Sequence, residues 1–261
     1  MQIRKAYSKK PEDLEHPGQT TGNLTKIVKI TILCLLATFL LLESFQRHAG
    51  GRSANWEKEI YADKSGYYVY LPALFIYHFD PQKFPQGIVE KTGNGFAFEN
   101  GKIKSKYSYG VSLLLAPFFI TTHLIAKVFD LSPDGFSTIY EKMINVAAVF
   151  YLIIGLIFLF RFLKYYFKEK IIIIGLMFLL FGTNLLYYSV DETGMSQVYS
   201  FALFSILLYN FKKFTLDPDK KKQYRYFIIA SVSTALILLV RNINAVFLPF
   251  VFLDTMDKLG V

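Results

Sequence analysis

Residues 143–163, MINVAAVFYLIIGLIFLFRFL, run with a single amide, Asn145, and no charge before Arg161. A helix rises 1.5 Å per residue, and about 20 mostly apolar residues carry it across the hydrocarbon of a bilayer. The run is continuous rather than alternating, so it reads as a helix and not as a half-buried strand. Working outward, further apolar blocks fall near 27–45, 108–129, 171–190, 196–211 and 226–253, with charge concentrated between them. Inside lipid only helices or closed barrels satisfy their own backbone groups. The fold class expected is therefore all-α: a polytopic membrane helix bundle with an external loop carrying juxtamembrane amphipathic helices. Composition agrees, because a 261-residue domain that is 53% hydrophobic, with 26 Phe and 18 Tyr, would be hard to keep in water.

Charge sets the expected topology. Residues 161–170 hold Arg161, Lys164, Lys168 and Lys170 against Glu169, and residues 212–225 hold six bases against Asp217 and Asp219. Residues 190–196 carry Asp191 and Glu192 and no base. Cytoplasmic loops collect Lys and Arg, which puts the first two segments inside and the third outside. The N-terminal stretch is polar and basic, too long for the n-region of a cleaved signal, and reads as a cytoplasmic tail ahead of an uncleaved anchor. With that start, every later loop carries the right charge only if 109–129 dips into the interface and returns. Gly110, Pro117 and His123 suit such a segment, the alternative being an ordinary span with weak charge bias. The expected organisation is a cytoplasmic tail over 1–26, a first span over 27–46, an external loop over 47–140 and a membrane bundle over 141–261. Within the bundle, spans are expected near 142–162, 171–189, 196–213 and 225–241, followed by an apolar stretch at 243–255. The expected setting is the cytoplasmic (inner) membrane.

The net charge of +9 follows from these flanking bases and does not imply a nucleic-acid partner. The lone cysteine, Cys34, can form neither an internal disulfide nor a cysteine metal site. Within the external loop, 67–79 reads as an aromatic-rich amphipathic helix for the headgroup layer. Asn94-Gly95 and Asn100-Gly101 are turn signals.

Three features could carry chemistry. Asp63, just outside the first span, could act as a general base on an acceptor hydroxyl, or simply cap the helix that follows. Asp191 and Glu192, adjacent in a short external loop, could hold a divalent cation through hard oxygen ligands, or orient a substrate. They could equally cap the helix beginning near Met195. Lys106 and Arg241 are cations on the outer side, against the positive-inside bias. Ionisable groups at membrane depth are functional candidates, and Arg pairs with phosphate through two hydrogen bonds. The plainer role for Arg241 is snorkelling to lipid headgroups. The four histidines show no metal-ligand spacing.

In this order the pieces resemble the GT-C membrane glycosyltransferases, which take sugars from polyprenyl-phosphate donors and include protein mannosyltransferases and aminoarabinose transferases. Asp63 with Gly66, Tyr67, Tyr68, Tyr70 and Leu71 looks like the family's first acidic motif. Lys106-Tyr107-Ser108-Tyr109-Gly110 with 113–117 looks like its juxtamembrane motif, without the family's proline pair. Asp191-Glu192 with 195–201 looks like the second acidic loop, Gln197 standing where a histidine is common. Leu239-Val240-Arg241-Asn242 resembles the arginine–asparagine turn of bacterial members. Members usually run longer, so the chain reads as the N-terminal part of such a protein.

The resemblance implies an inverting glycosyltransferase at the outer membrane face, with Asp63 as catalytic base. Lys106, Arg241, Asn242, Asp191, Glu192 and Gln197 would bind substrate, with a divalent cation at Asp191 and Glu192 as the one cofactor to consider. The implied partners are a lipid-linked sugar donor, membrane lipid, and an acceptor glycan, lipid or protein. The alternatives are a transporter or flippase of lipid-linked sugars, and a non-catalytic membrane fragment.

Overall fold

The structure is a computed structural model that describes residues 19–49 and 58–249, with side chains from Ile27 to His48 and from Lys58 onward. Most of the tail expected over 1–26, and the end of the apolar stretch expected at 243–255, lie outside the described residues. The chain divides into two units at Thr38 and Phe39. The described part of the first is the opening of helix α1 (Gln19–Ala49).

The second unit begins with the end of α1 and continues through short helices α2 (Asp63–Tyr68), α3 (Tyr70–Phe75) and α4 (Ile88–Lys91). A hairpin of β1 (Phe96–Glu99) and β2 (Lys102–Ser105) follows. Then come α5 (Gly110–Val128), α6 (Thr138–Leu163), α7 (Glu169–Gly182), α8 (Leu185–Val190), α9 (Ser196–Leu216) and α10 (Lys220–Val240). Among the described residues, four helices are long and apolar enough to cross a membrane: Ile27–His48 within α1, then α5, α6 and α10. The chain is thus mostly helical, with membrane-length helices, but it is not all-α.

The hairpin departs from the expected class for a local reason. Asn100 and Gly101 both take positive φ, 52° and 69°, and two such residues form the turn whose twist matches a pair of antiparallel strands. Phe96 pairs with Ser105 and Glu99 with Lys102. Phe96 also joins Val69, Ala73, Tyr77, Phe84 and Ile88 in a buried cluster. That cluster alters the expected amphipathic helix over 67–79, which is two short helices buried on most sides. Tyr67, Tyr68, Val69, Leu71 and Ala73 are all buried. Burial of Tyr68 and Tyr77 is tolerated because their hydroxyls donate to the carbonyls of Gly135 and Asp134, at 2.6 and 2.7 Å.

The long helices pack with a clear polarity. Tyr151 meets Tyr199, Gly155 admits Phe201 and Ala202, and Phe158 meets Tyr209, so α6 and α9 run parallel. A side chain at Gly155 would collide with the Phe201 ring, and this close approach is what small residues allow between helices in lipid. Phe214 against Phe227, and Asn244 on Ser200, set α10 antiparallel to α9. One end of the bundle therefore gathers the starts of α6 and α9 and the end of α10.

α5 runs antiparallel along the first half of α6. Gly110 presses against the backbone of Leu239 and Val240 at the finish of α10. His123 shares a 2.7 Å hydrogen bond with Tyr140 at the start of α6. The Tyr151 hydroxyl donates to Leu114 O at 2.8 Å, so the side-chain ties between α5 and α6 fall in the first half of α6.

The span expected over 171–189 is broken into α7 and α8. Thr183 is extended, and its hydroxyl donates to Leu179 O at 2.6 Å while accepting from Leu185 N at 3.2 Å. That hydroxyl stands in for the backbone bonds the break would otherwise leave open.

Candidate functional site

Asp63 is set by the loop before it. Ala62 adopts φ 47° and donates its N–H to Thr92 O at 2.8 Å. Gly95 lies so close that any side chain there would overlap the Ala62 carbonyl. Ser65 Oγ contacts both the Ala62 and Thr92 carbonyls. Asp63 is the first residue of α2, and no side chain caps that helix, so the plain capping role is not adopted. Its carboxylate instead faces Lys106 Nζ at 3.5 Å, with both side chains exposed.

Tyr107 completes this group. Its ring lies under the Lys106 ammonium, 4.9 Å from the centroid, and packs on Tyr67 with centroids 4.3 Å apart. Burial and then the neighbouring Asp63 charge raise the phenol's pKa, so it stays protonated at neutral pH and can donate a hydrogen bond.

The second acidic loop is held by cations. Arg47 Nη1 reaches both Asp191 oxygens at 2.8 Å. Lys64, buried, reaches Glu192 at 3.1 Å. Glu59, 1% exposed, accepts the Gly194 N–H at 2.9 Å and lies 2.5 Å from His48 Nε2. Thr193 donates to Asn145 at 2.6 Å, and Ser44 donates to Val190 O at 3.0 Å. Neither acid caps α9, whose cap position is Met195 with no side-chain bond. Asp191 and Glu192 turn to separate protein cations, and no group of three or more His, Cys, Asp or Glu among the described residues could hold a metal ion.

Arg241 arrives by a third route. Ser108 Oγ donates to Leu239 O, Gly110 abuts the same turn, and Asn244 Nδ2 donates to Ser200 Oγ at 3.0 Å. Arg241 itself is half-buried, with no acidic partner among the described residues, and Asn242 is exposed. Gln197, in the first turn of α9, sits beside Ser196, whose hydroxyl lies 3.4 Å from that of Tyr67. The carbonyl oxygen of Gln197 is buried without a hydrogen bond.

Of the residues expected to act, Asp63 and Lys106 are in direct contact. Asp191 and Glu192 lie in a loop joined to the Asp63 segment through Lys64 and Glu59. Arg241 and Asn242 lie in a turn joined to the Lys106 segment through Ser108. The supporting residues Arg47, His48, Glu59, Lys64 and Asn145 were not singled out from sequence. One signal was available for Asn145, a lone amide in an apolar run. No family model, no curated protein and no solved structure matches this chain.

Proposed function

We propose that this membrane protein is a glycosyltransferase of the GT-C type that uses a polyprenyl-phosphate sugar donor at the outer face of a cytoplasmic membrane. The observation that carries the reading is the contact between Asp63 and Lys106, 43 positions apart in the chain and 3.5 Å apart in space. It sets a carboxylate beside a cation, the two charges that acceptor activation and phosphate departure require. The motif order quoted above supports the same chemistry.

In the reaction, Asp63 takes the proton of an acceptor hydroxyl, and that oxygen forms a bond to the anomeric carbon. The bond from that carbon to the phosphate oxygen breaks, and polyprenyl phosphate leaves with the electron pair. Lys106 and Arg241 stabilise the charge that develops on the leaving phosphate. Attack from the opposite side inverts the anomeric centre. Asp191 and Glu192, through their ion pairs with Arg47 and Lys64, hold the neighbouring loop in register.

The test is release of polyprenyl phosphate from a labelled polyprenyl-phosphate hexose, by the full chain in proteoliposomes supplied with a membrane lipid extract. Asp63→Asn should lower the rate by about 100-fold or more, the usual contribution of a general base, with donor binding retained. If the variant keeps full activity, Asp63 is not the base. If wild-type protein moves the donor across the bilayer without releasing phosphate, the protein is a carrier instead.

A further inference from the structure

The end of the bundle opposite the Asp63 group gathers the finishes of α6 and α9 and the start of α10. Residues 161–170 and 212–225 lie there and hold ten bases against Glu169, Asp217 and Asp219. Side chains join the two stretches directly. Lys212 Nζ lies 4.8 Å from the centre of the Tyr166 ring. Lys213 reaches the Tyr165 phenol, with Tyr209 and Tyr226 close by. Phe214 against Phe227 carries the contact on to α10. The two basic stretches are therefore one surface.

The acids of this surface are engaged. Glu169 pairs with Lys164 at 3.1 Å, and Asp217 accepts the Asp219 N–H at 3.1 Å. Asp219 accepts the Lys221 N–H at 2.9 Å and lies 3.9 Å from Lys222 Nζ. Lys168, Lys170, Lys220, Lys221 and Arg225 are exposed and meet no carboxylate within 4 Å among the described residues. The four lysines do not serve their own helices either. They stand at the starts of α7 and α10, where the helix dipole disfavours a cation.

Between these cations the surface is aromatic. Tyr165, Tyr166, Phe167, Tyr224 and Phe227 are all exposed. Tyrosine rings in a membrane protein settle at headgroup level. Lysine stems run along apolar surface and place the ammonium among the phosphates. Uncompensated cations set among exposed rings match a ligand that carries a phosphate on hydrocarbon chains.

We propose that this end of the bundle binds an anionic phospholipid, with its headgroup phosphate on the lysines and its acyl chains against the rings. The binding is independent of sugar transfer and lies at the other end of the molecule from the Asp63–Lys106 contact. It draws on Lys168 and Lys170 from one stretch and Lys220 and Lys221 from the other, so it needs both.

The test is native mass spectrometry of the full chain in mild detergent. Phosphatidylglycerol and phosphatidylcholine with matched chains are titrated in parallel. Wild-type protein should bind phosphatidylglycerol at least tenfold more tightly. Lys168→Gln with Lys170→Gln should remove most of that preference, at about fivefold for each lysine near the phosphate. Phosphatidylcholine affinity should stay as in wild type. Lys91→Gln with Lys102→Gln makes the same change in net charge beside the β1–β2 hairpin and should keep the preference.

Added phosphatidylglycerol should also raise the melting temperature of wild-type protein more than that of the Lys168 and Lys170 variant, since a ligand stabilises the state it binds. Equal affinity of wild-type protein for the two lipids overturns the proposal. So does a preference that survives in the Lys168 and Lys170 variant, or one that falls equally in the Lys91 and Lys102 variant, the mark of diffuse attraction to net charge. Displacement of phosphatidylglycerol by millimolar inorganic phosphate would make this a site for a free anion and overturn the lipid.

Discussion

Lys106 holds its ammonium in the open, where the nearby Tyr107 phenol oxygen, and then the Asp63 charge, raise its pKa above the ordinary lysine value. A raised lysine pKa keeps the charged form to higher pH. Polyprenyl-phosphate binding should therefore survive into the alkaline range, and Asp63→Asn should move its loss to lower pH in a binding titration. Lys64 is the opposite case, a buried cation 3.1 Å from Glu192. Removing one partner of a buried pair leaves the other charge stranded, so Lys64→Ala should destabilise by about 3 kcal/mol in a denaturation experiment. Lys64→Met combined with Glu192→Leu should recover much of that loss, because a well-packed apolar pair can replace a buried ion pair. The sequence singled out Asp63 and Lys106 because each sits in a short local motif, but not that the two meet. The partners of Asp191 and Glu192 were not, because Arg47 and Lys64 lie more than 120 positions away and no spacing rule reaches so far.

At the scale of elements, apolar runs marked the long helices closely. The stretch expected as a span over 142–162 is α6 at Thr138–Leu163, while the one expected over 196–213 is a helix, α9 at Ser196–Leu216, but not one of the four apolar enough to cross a membrane. Continuous hydrophobicity fixes a helix that must satisfy its own backbone, but it is blind to an interruption that one hydroxyl repairs, and Thr183 hid the break between α7 and α8. The hairpin was legible as a turn and not as strands, because four-residue strands offer too little alternation to read. Its turn makes a sharp prediction. Gly101 has φ 69°, a conformation that costs an L residue about 1 kcal/mol, so Gly101→Ala should lower the melting temperature without altering donor binding. Gly110→Leu should do more harm, since its side chain would enter the backbone of Leu239 and Val240 and part the two segments that carry Lys106 and Arg241.

For the whole molecule, the disposition of α5 decides whether the candidate groups share one face. Single cysteines at Leu131 and Lys102, on a Cys34→Ser background, sit at exposed positions beyond and before α5. If α5 returns, an impermeant thiol reagent should label both in intact cells, whereas a cysteine at Lys221 should label only after permeabilisation. Protection of position 131 alone would mean that α5 crosses. The tie between Ser108 and Leu239 also sets an order of events during synthesis. At about 5–20 residues per second, the ribosome needs roughly 7 to 26 s to pass from one residue to the other. For that interval the Ser108 hydroxyl and the bare flank of Gly110 stand open on the nascent chain, able to meet lipid or a neighbouring helix. The site is thus finished late, and a chain that stalls before Leu239 would carry Asp63 and Lys106 without the turn that brings Arg241.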